Sequence, residues 1–244
     1  MACLPLLAPG CAGSTGFSRE LADAALALAR RGTADRETAG LREALEVATG
    51  RAVARTSRDG GFRANDLIRI RLPEPLETPA RLLRVAGFGA QVDELETAMN
   101  RAAERAAAGA TPLFVDAVRG LTFADARRII GGGGTAATDY FRERTGDRLA
   151  ARFRPEVQDA MRQVGLYHRY EVLLASYDRL PFTEKPNLDL SEYVTARTVD
   201  GLFRALGEEE RRIRTDPVAR TTELLREVFG NRTGPNVKRE PASG

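Results

Sequence analysis

The chain has no tryptophan, a single histidine and two cysteines in 244 residues. Each scarcity excludes something. Both cysteines, Cys3 and Cys11, sit at the N-terminal end, so no disulfide framework or thiolate metal site holds the body of the chain together. The one imidazole, His168, falls short of the two or more imidazoles or thiolates that a zinc or non-haem iron site normally uses. No metal or other cofactor is expected. A Ser-His-Asp triad would have to run through His168, and no G-x-S-x-G elbow accompanies it. Aromatic residues are only 6% of the total, too sparse for the stacking platform that single-stranded nucleic acid needs. Lysine occurs only as Lys185 and Lys238, so almost every basic side chain is arginine. The net charge is only +3, and the basic pI reflects a slight excess of arginine over acid rather than a nucleic-acid footprint. No nucleic-acid partner is expected. No stretch is apolar enough to span a bilayer.

What is present is helical periodicity. The 43% hydrophobic and 29% charged content is that of a folded soluble protein. Ser18 to Arg31 carries Leu21, Ala25 and Leu28 on one side, Gly32-Thr33 breaks the helix, and Leu41, Leu45, Ala48 and Ala52 mark a second one ending before Asp59-Gly60-Gly61. Ile68 to Leu72 alternates with period two and predicts a strand closed by Pro73 and Pro75, paired with an extended piece near 185–190 or lying alone as a packed arm. Pro75 suits the start of a helix bearing Leu76, Ala80 and Leu83, which Gly87 and Gly89 close. Val92, Leu95, Met99, Ala102 and Ala106 define a longer helix whose alanines allow close approach. Asn100 lies beside that stripe. A buried amide must be hydrogen-bonded, so it either fixes packing, the preferred reading, or meets a ligand.

The densest stretch is Leu113 to Val157. Leu113, Phe114, Ala117, Val118 and Leu121 recur at helical spacing. Thr122 and Asp125 stand three apart, a capping box for the next helix, which should stop at the four glycines Gly131–Gly134. Those glycines are not a P-loop, because they follow a helix and lack the lysine that does the phosphate work. They read as a helix-to-helix turn. Thr135 can cap a helix carrying Ala137, Tyr140 and Phe141; Gly146 then breaks the chain and Asp147 restarts it. Further on, Asp189 and Glu192 frame a helix start, and Asp216-Pro217 frames another.

The predicted fold is a single all-α domain over residues 17–230, with nine or ten helices and one short extended segment at 68–72. It is flanked by a remnant of an export signal at 1–16 and a disordered tail at 231–244. Ala8-Pro9-Gly10-Cys11 resembles the box that ends a lipoprotein signal, although Pro9 fits it poorly, the apolar run is short and the basic n-region is lacking. Cys11 is then the lipid acceptor and the expected location is the periplasm, on a membrane lipid anchor.

Several blocks together carry a family resemblance: Ile68 to Leu76 (IRIRLPEPL), Met99 to Glu104 (MNRAAE), Phe114 to Ala126, Ala136 to Phe141 (AATDYF) and Glu210 to Phe229 (ERRIRTDPVARTTELLREVF). In this order, over about residues 38–230, they resemble the bacterial domain-of-unknown-function family numbered 4197. The resemblance implies a small, mostly helical protein, often with an export or lipoprotein signal. It implies no activity for any residue.

Three functions compete. The first is a non-enzymatic exported protein that binds a hydrophobic or amphipathic ligand, or a protein partner, between helices. Arg148 and Arg152 would meet an anionic head group, unless they form a solvated face balanced by Glu143, Asp147 and Glu156. The second is an enzyme working through Asp116, Asp125 and Asp139, with Arg119 and Tyr140 near them in sequence; it requires the acids to converge with separated pKa values, and a salt-bridge network explains the same residues. With Asn100, these form the candidate polar cluster, and no catalytic residue is assigned. The third, nucleic-acid binding through arginine, requires a single basic face.

Overall fold

The computed structural model describes residues 15–179 and 188–230. All regular structure in them is helical: α1 (Thr15–Thr56), α2 (Glu74–Val85), α3 (Gly89–Ala107), α4 (Ala110–Arg119), α5 (Phe123–Gly131), α6 (Ala136–Gln163), α7 (Leu166–Tyr177), α8 (Leu190–Thr215) and α9 (Glu223–Gly230), with a 3-10 turn at Pro217–Ala219. Residues 1–14 of the signal remnant, Cys11 among them, the tail at 231–244 and residues 185–187 of the proposed strand partner lie outside the described residues.

Three long helices organise the rest. α8 packs against α1 and α6; α6 also packs against α3, and α1 against α4, α5 and α9. Their apolar stripes form one continuous core that includes Leu41 and Leu45 of α1, Met99 of α3, Phe153 of α6 and Phe203 of α8, none more than 2% exposed. Each such side chain contributes roughly 1.5–3 kcal/mol by leaving water. Phe114 of α4 meets Phe203 edge-to-face with ring centroids 5.3 Å apart, the geometry that aromatic quadrupoles favour.

Two expected breaks do not occur. α1 runs through Gly32-Thr33, and α6 runs through Gly146, Asp147 and Pro155. A lone glycine costs a helix only about 1 kcal/mol relative to alanine, and packing along both helices outweighs that. The expected strand at 68–72 is also not formed among the described residues. The alternation is real, with Ile68 and Ile70 buried and Arg69 and Arg71 exposed, but its backbone is satisfied by side chains instead of a neighbouring strand. The Asn65 carbonyl accepts from the Ile68 and Arg69 N–H groups, which turns the chain. Asn100 then accepts from Ile70 N at 2.9 Å and donates to Ile70 O at 2.8 Å. One turn further along α3, Glu104 accepts from Phe62 N and Arg63 N at 3.0 and 3.1 Å. The Tyr193 hydroxyl of α8 donates to the Arg71 carbonyl. A buried backbone must find partners, and here an amide and a carboxylate on one face of α3 provide them.

Helix starts follow the sequence signals in three places. Thr122 and Asp125 form the full capping box at α5, Asp189 accepts from Glu192 N at α8, and Asp216 accepts from Val218 N at the 3-10 turn. At α6 the expected cap is replaced. Thr135 donates to Asp139, and the free N–H groups of Ala137 and Thr138 go to the Glu210 carboxylate of α8, at 3.0 and 2.8 Å. A carboxylate is the stronger acceptor at a positive helix end, and α8 delivers it because the two helices pack together. Gly131 ends α5, Gly132–Gly134 lie in the turn to α6, and the anion at that helix end is the chain's own.

Candidate functional site

α4 and α6 diverge at the surface and leave a groove of about 370 Å³. Its floor is apolar: Leu113 and Ala117 from α4, Leu121 just beyond it, and Phe141 and Leu149 from α6. Its rim is basic. Arg144, Arg148 and Arg152 stand four apart on α6 and therefore share one face, roughly 6 Å apart along the axis. Asp116 on the α4 side and Tyr140 at one end complete the polar lining.

The charge of this lining sets the groove apart. Three arginines against one aspartate leave a net of +2. Three further clefts, all along α3, are balanced, each with two arginines and two acids: Arg101 and Arg169 with Asp93 and Glu94, Arg101 and Arg105 with Asp59 and Glu104, and Arg63 and Arg69 with Asp93 and Glu96.

The rim arginines are loosely held. Arg152 lies 3.7 Å from Asp116 and Arg144 lies 3.9 Å from Asp125, both beyond hydrogen-bond length. Arg148 has no ion pair or hydrogen bond among the described residues. Glu143, Asp147 and Glu156 do not pair with any of the three there. Tyr140 is half-buried, with the Arg128 and Arg144 guanidinium groups over its ring at 5.0 and 5.4 Å. Burial, together with its hydrogen bond to Asp125, pushes the Tyr140 phenol above its ordinary pKa, so it stays protonated. The Thr122 hydrogen bond holds Asp125 below the usual carboxylate range; burial opposes this, and Tyr140 and Arg144 reinforce it.

Arg148, Arg152, Asp116 and Tyr140 therefore meet in one groove, with Asp125 behind it. Arg119 approaches Asp116 only at 4.0 Å, with both side chains exposed. Asp139 binds Thr135 at the α6 start, and Asn100 lies on α3, holding Ile70. The three acids of the enzyme reading have separate tasks: Asp125 in a capping box, Asp139 on Thr135, and Asp116 beside Arg152. The Asp125 shift is also downward, opposite to what a general acid needs. Sequence reasoning missed Arg144, although the four-residue spacing of 144, 148 and 152 was there to find it. It also missed the structural tasks of Glu104 and Glu210, because a buried glutamate and a solvated one look alike in a helical sequence. Among the described residues, no group of three or more His, Cys, Asp or Glu is placed to hold a metal ion, and no helix is long and apolar enough to cross a membrane.

A family model described as "Protein of unknown function (DUF4197)" matches residues 32–230, most of the chain. The chain belongs to that family. No curated protein and no solved structure matches it.

Proposed function

We propose that this family member is an exported, non-enzymatic binding protein, tethered by lipid at Cys11 in the periplasm, whose α4–α6 groove takes an amphipathic ligand. One observation carries the binding half: an apolar floor beneath an arginine rim with a net charge of +2. Sites for small ligands join apolar surface to placed polar groups that fix orientation, and this groove offers both, in nearly equal measure, at a usable volume. The floor suits an alkyl chain and the rim an anionic head. The location rests on the sequence alone, on Ala8-Pro9-Gly10 before Cys11 and on the lack of cysteine beyond the N-terminal segment.

Native mass spectrometry of the full chain, expressed from its complete reading frame and extracted from membranes, tests both halves. A diacylglyceryl mass on Cys11 is the expected result for anchoring, and an unmodified cytosolic chain overturns it. A non-covalent amphiphile-sized mass is expected on the wild type and should vanish in Ala117→Phe, which fills the groove from the half-buried α4 wall. Retention of that mass in Ala117→Phe would place the ligand elsewhere.

A further inference from the structure

We infer, resting on the amphiphile reading of the same groove, that the occupant's head is a phosphate monoester and that Arg148 is its first contact. The first reason is charge. The lining carries +2, and a phosphate monoester carries about −1.5 to −2 at neutral pH. A fatty carboxylate or an alkyl sulfate supplies only one negative charge and leaves the groove cationic.

The second reason is that these arginines are spare and gathered at one groove; other spare arginines, such as Arg63 and Arg101, line clefts with as many acids as arginines, and many more are engaged. Arg55 meets Glu208 at 2.6 Å, Arg69 meets Glu96 at 2.6 Å, Arg214 meets Glu210 at 2.8 Å and Arg154 meets Asp189 at 3.0 Å. Other arginines are spent on carbonyls: Arg42 donates to Leu121 O at 2.6 Å, and Arg220 donates to Ile213 O and Arg214 O at 2.9 Å each. The nearest carboxylates stand 3.7 Å from Arg152 and 3.9 Å from Arg144, which also lies over the Tyr140 ring, and Arg148 between them is unengaged among the described residues.

The third reason is geometry. A guanidinium presents a planar fork of donors that matches phosphate oxygens two at a time. A monoester has three terminal oxygens, so a head seated on Arg148 leaves acceptors for a neighbour. Arg144 and Arg152 stand one helical turn away on either side. Asp116 and Asp125 act as resident counterions, close enough to hold those side chains near the groove and too far to occupy them. The ester chain then lies across Leu113, Ala117 and Leu149.

The test is calorimetric titration of the full chain at slightly alkaline pH, where the monoester is a dianion. The probes are dodecyl phosphate, laurate, dodecyl sulfate and inorganic phosphate, with the alkyl probes below their micelle-forming concentrations. Dodecyl phosphate should bind at least about tenfold more tightly than laurate or dodecyl sulfate, and Arg148→Ala should remove about that factor for dodecyl phosphate alone. Arg148 is exposed, so the variant keeps the fold, and Arg148→Lys should recover part of the loss. Equal affinities for the three alkyl probes, unmoved by Arg148→Ala, would overturn the head-group inference and leave the amphiphile reading standing. No binding by any alkyl probe would overturn that reading itself. Inorganic phosphate binding as tightly as dodecyl phosphate would also overturn it, since the chain would then contribute nothing.

Discussion

At the scale of single residues, the most consequential side chains are polar ones buried in helical stripes. Asn100 has no exposed surface and satisfies both backbone groups of Ile70 and the Glu96 carbonyl. Asn100→Leu preserves volume but orphans the Ile70 N–H and C=O. It should lower unfolding stability by about 2–4 kcal/mol in urea titration. An unchanged midpoint would mean that water or a shifted chain replaces the amide. The sequence already implied that Asn100 fixes packing, because an amide beside an apolar stripe has few other uses. It did not reveal which backbone Asn100 holds, because Ile70 is thirty residues away and reads as a strand. Asp200 gives a prediction with a sign. Burial pushes its carboxyl up, but the hydrogen bonds from Arg142 and Arg204 outweigh burial and hold it below the ordinary 3.8. A depressed folded pKa adds stability that is present above the unfolded pKa and is lost as pH falls through the folded value. The stability gap between wild type and Asp200→Asn should therefore hold from neutral pH to about pH 5, then shrink below about pH 4. Urea midpoints across that range measure it. A gap that widens on acidification would contradict the assignment.

At the scale of elements, glycine position decides what a helix tolerates. Gly146 lies inside α6 with open space where a Cβ would go, whereas a Cβ on Gly201 of α8 would sit 2.5 Å from the Phe62 ring. Phe62 is fully buried and cannot retreat. Gly146→Ala should stabilise the protein by roughly 0.5–1 kcal/mol, and Gly201→Ala should destabilise it by roughly 1–3 kcal/mol, as overpacked cores do. Thermal melts of the two variants should move in opposite directions, and a shared direction would show that helix propensity alone governs both. The sequence treats Gly146 as a break and gives no hint of Gly201's closeness to Phe62, since one depends on packing along α6 and the other on a crossing with a distant segment. Local signals fared better. The capping box at Thr122 and the caps at Asp189 and Asp216 were legible because each involves atoms within a few residues. The cap of α6 was not legible, because it comes from Glu210, more than seventy residues away. The groove was half legible for the same reason. The arginine face of α6 can be read from spacing, while the α4 wall opposite it depends on how the two helices diverge.

At the scale of the whole molecule, the C-terminal helix closes the fold onto its first helix. α9 packs along α1, and Leu225 and Phe229 are 0% and 5% exposed. Phe229 borders Leu41, Leu45 and Ala48 of α1 together with Ile213 of α8, around a small residual void. The Arg214 guanidinium lies 5.5 Å from its ring centroid and also bonds Glu210, the cap of α6. The closing helix is thus coupled through one arginine to the start of α6, whose following turns carry the groove. Phe229→Ala removes the ring and enlarges the void, at a cost of about 3–5 kcal/mol. Because α1, α8 and α9 share that void, the loss should not be confined to the terminus. Amide protection should fall in α1 around Leu41 to Ala48 and at the α6 start, with α9 exchanging fastest. Hydrogen exchange of wild type and variant distinguishes this from simple fraying. If only residues of α9 lose protection, the C-terminal helix is an appendage, and the groove's support lies entirely in the α3–α6–α8 packing. If α1 and the α6 start loosen together, the final helix is part of what holds the α6 face in register for its ligand, and dodecyl phosphate should restore protection there while leaving α9 labile.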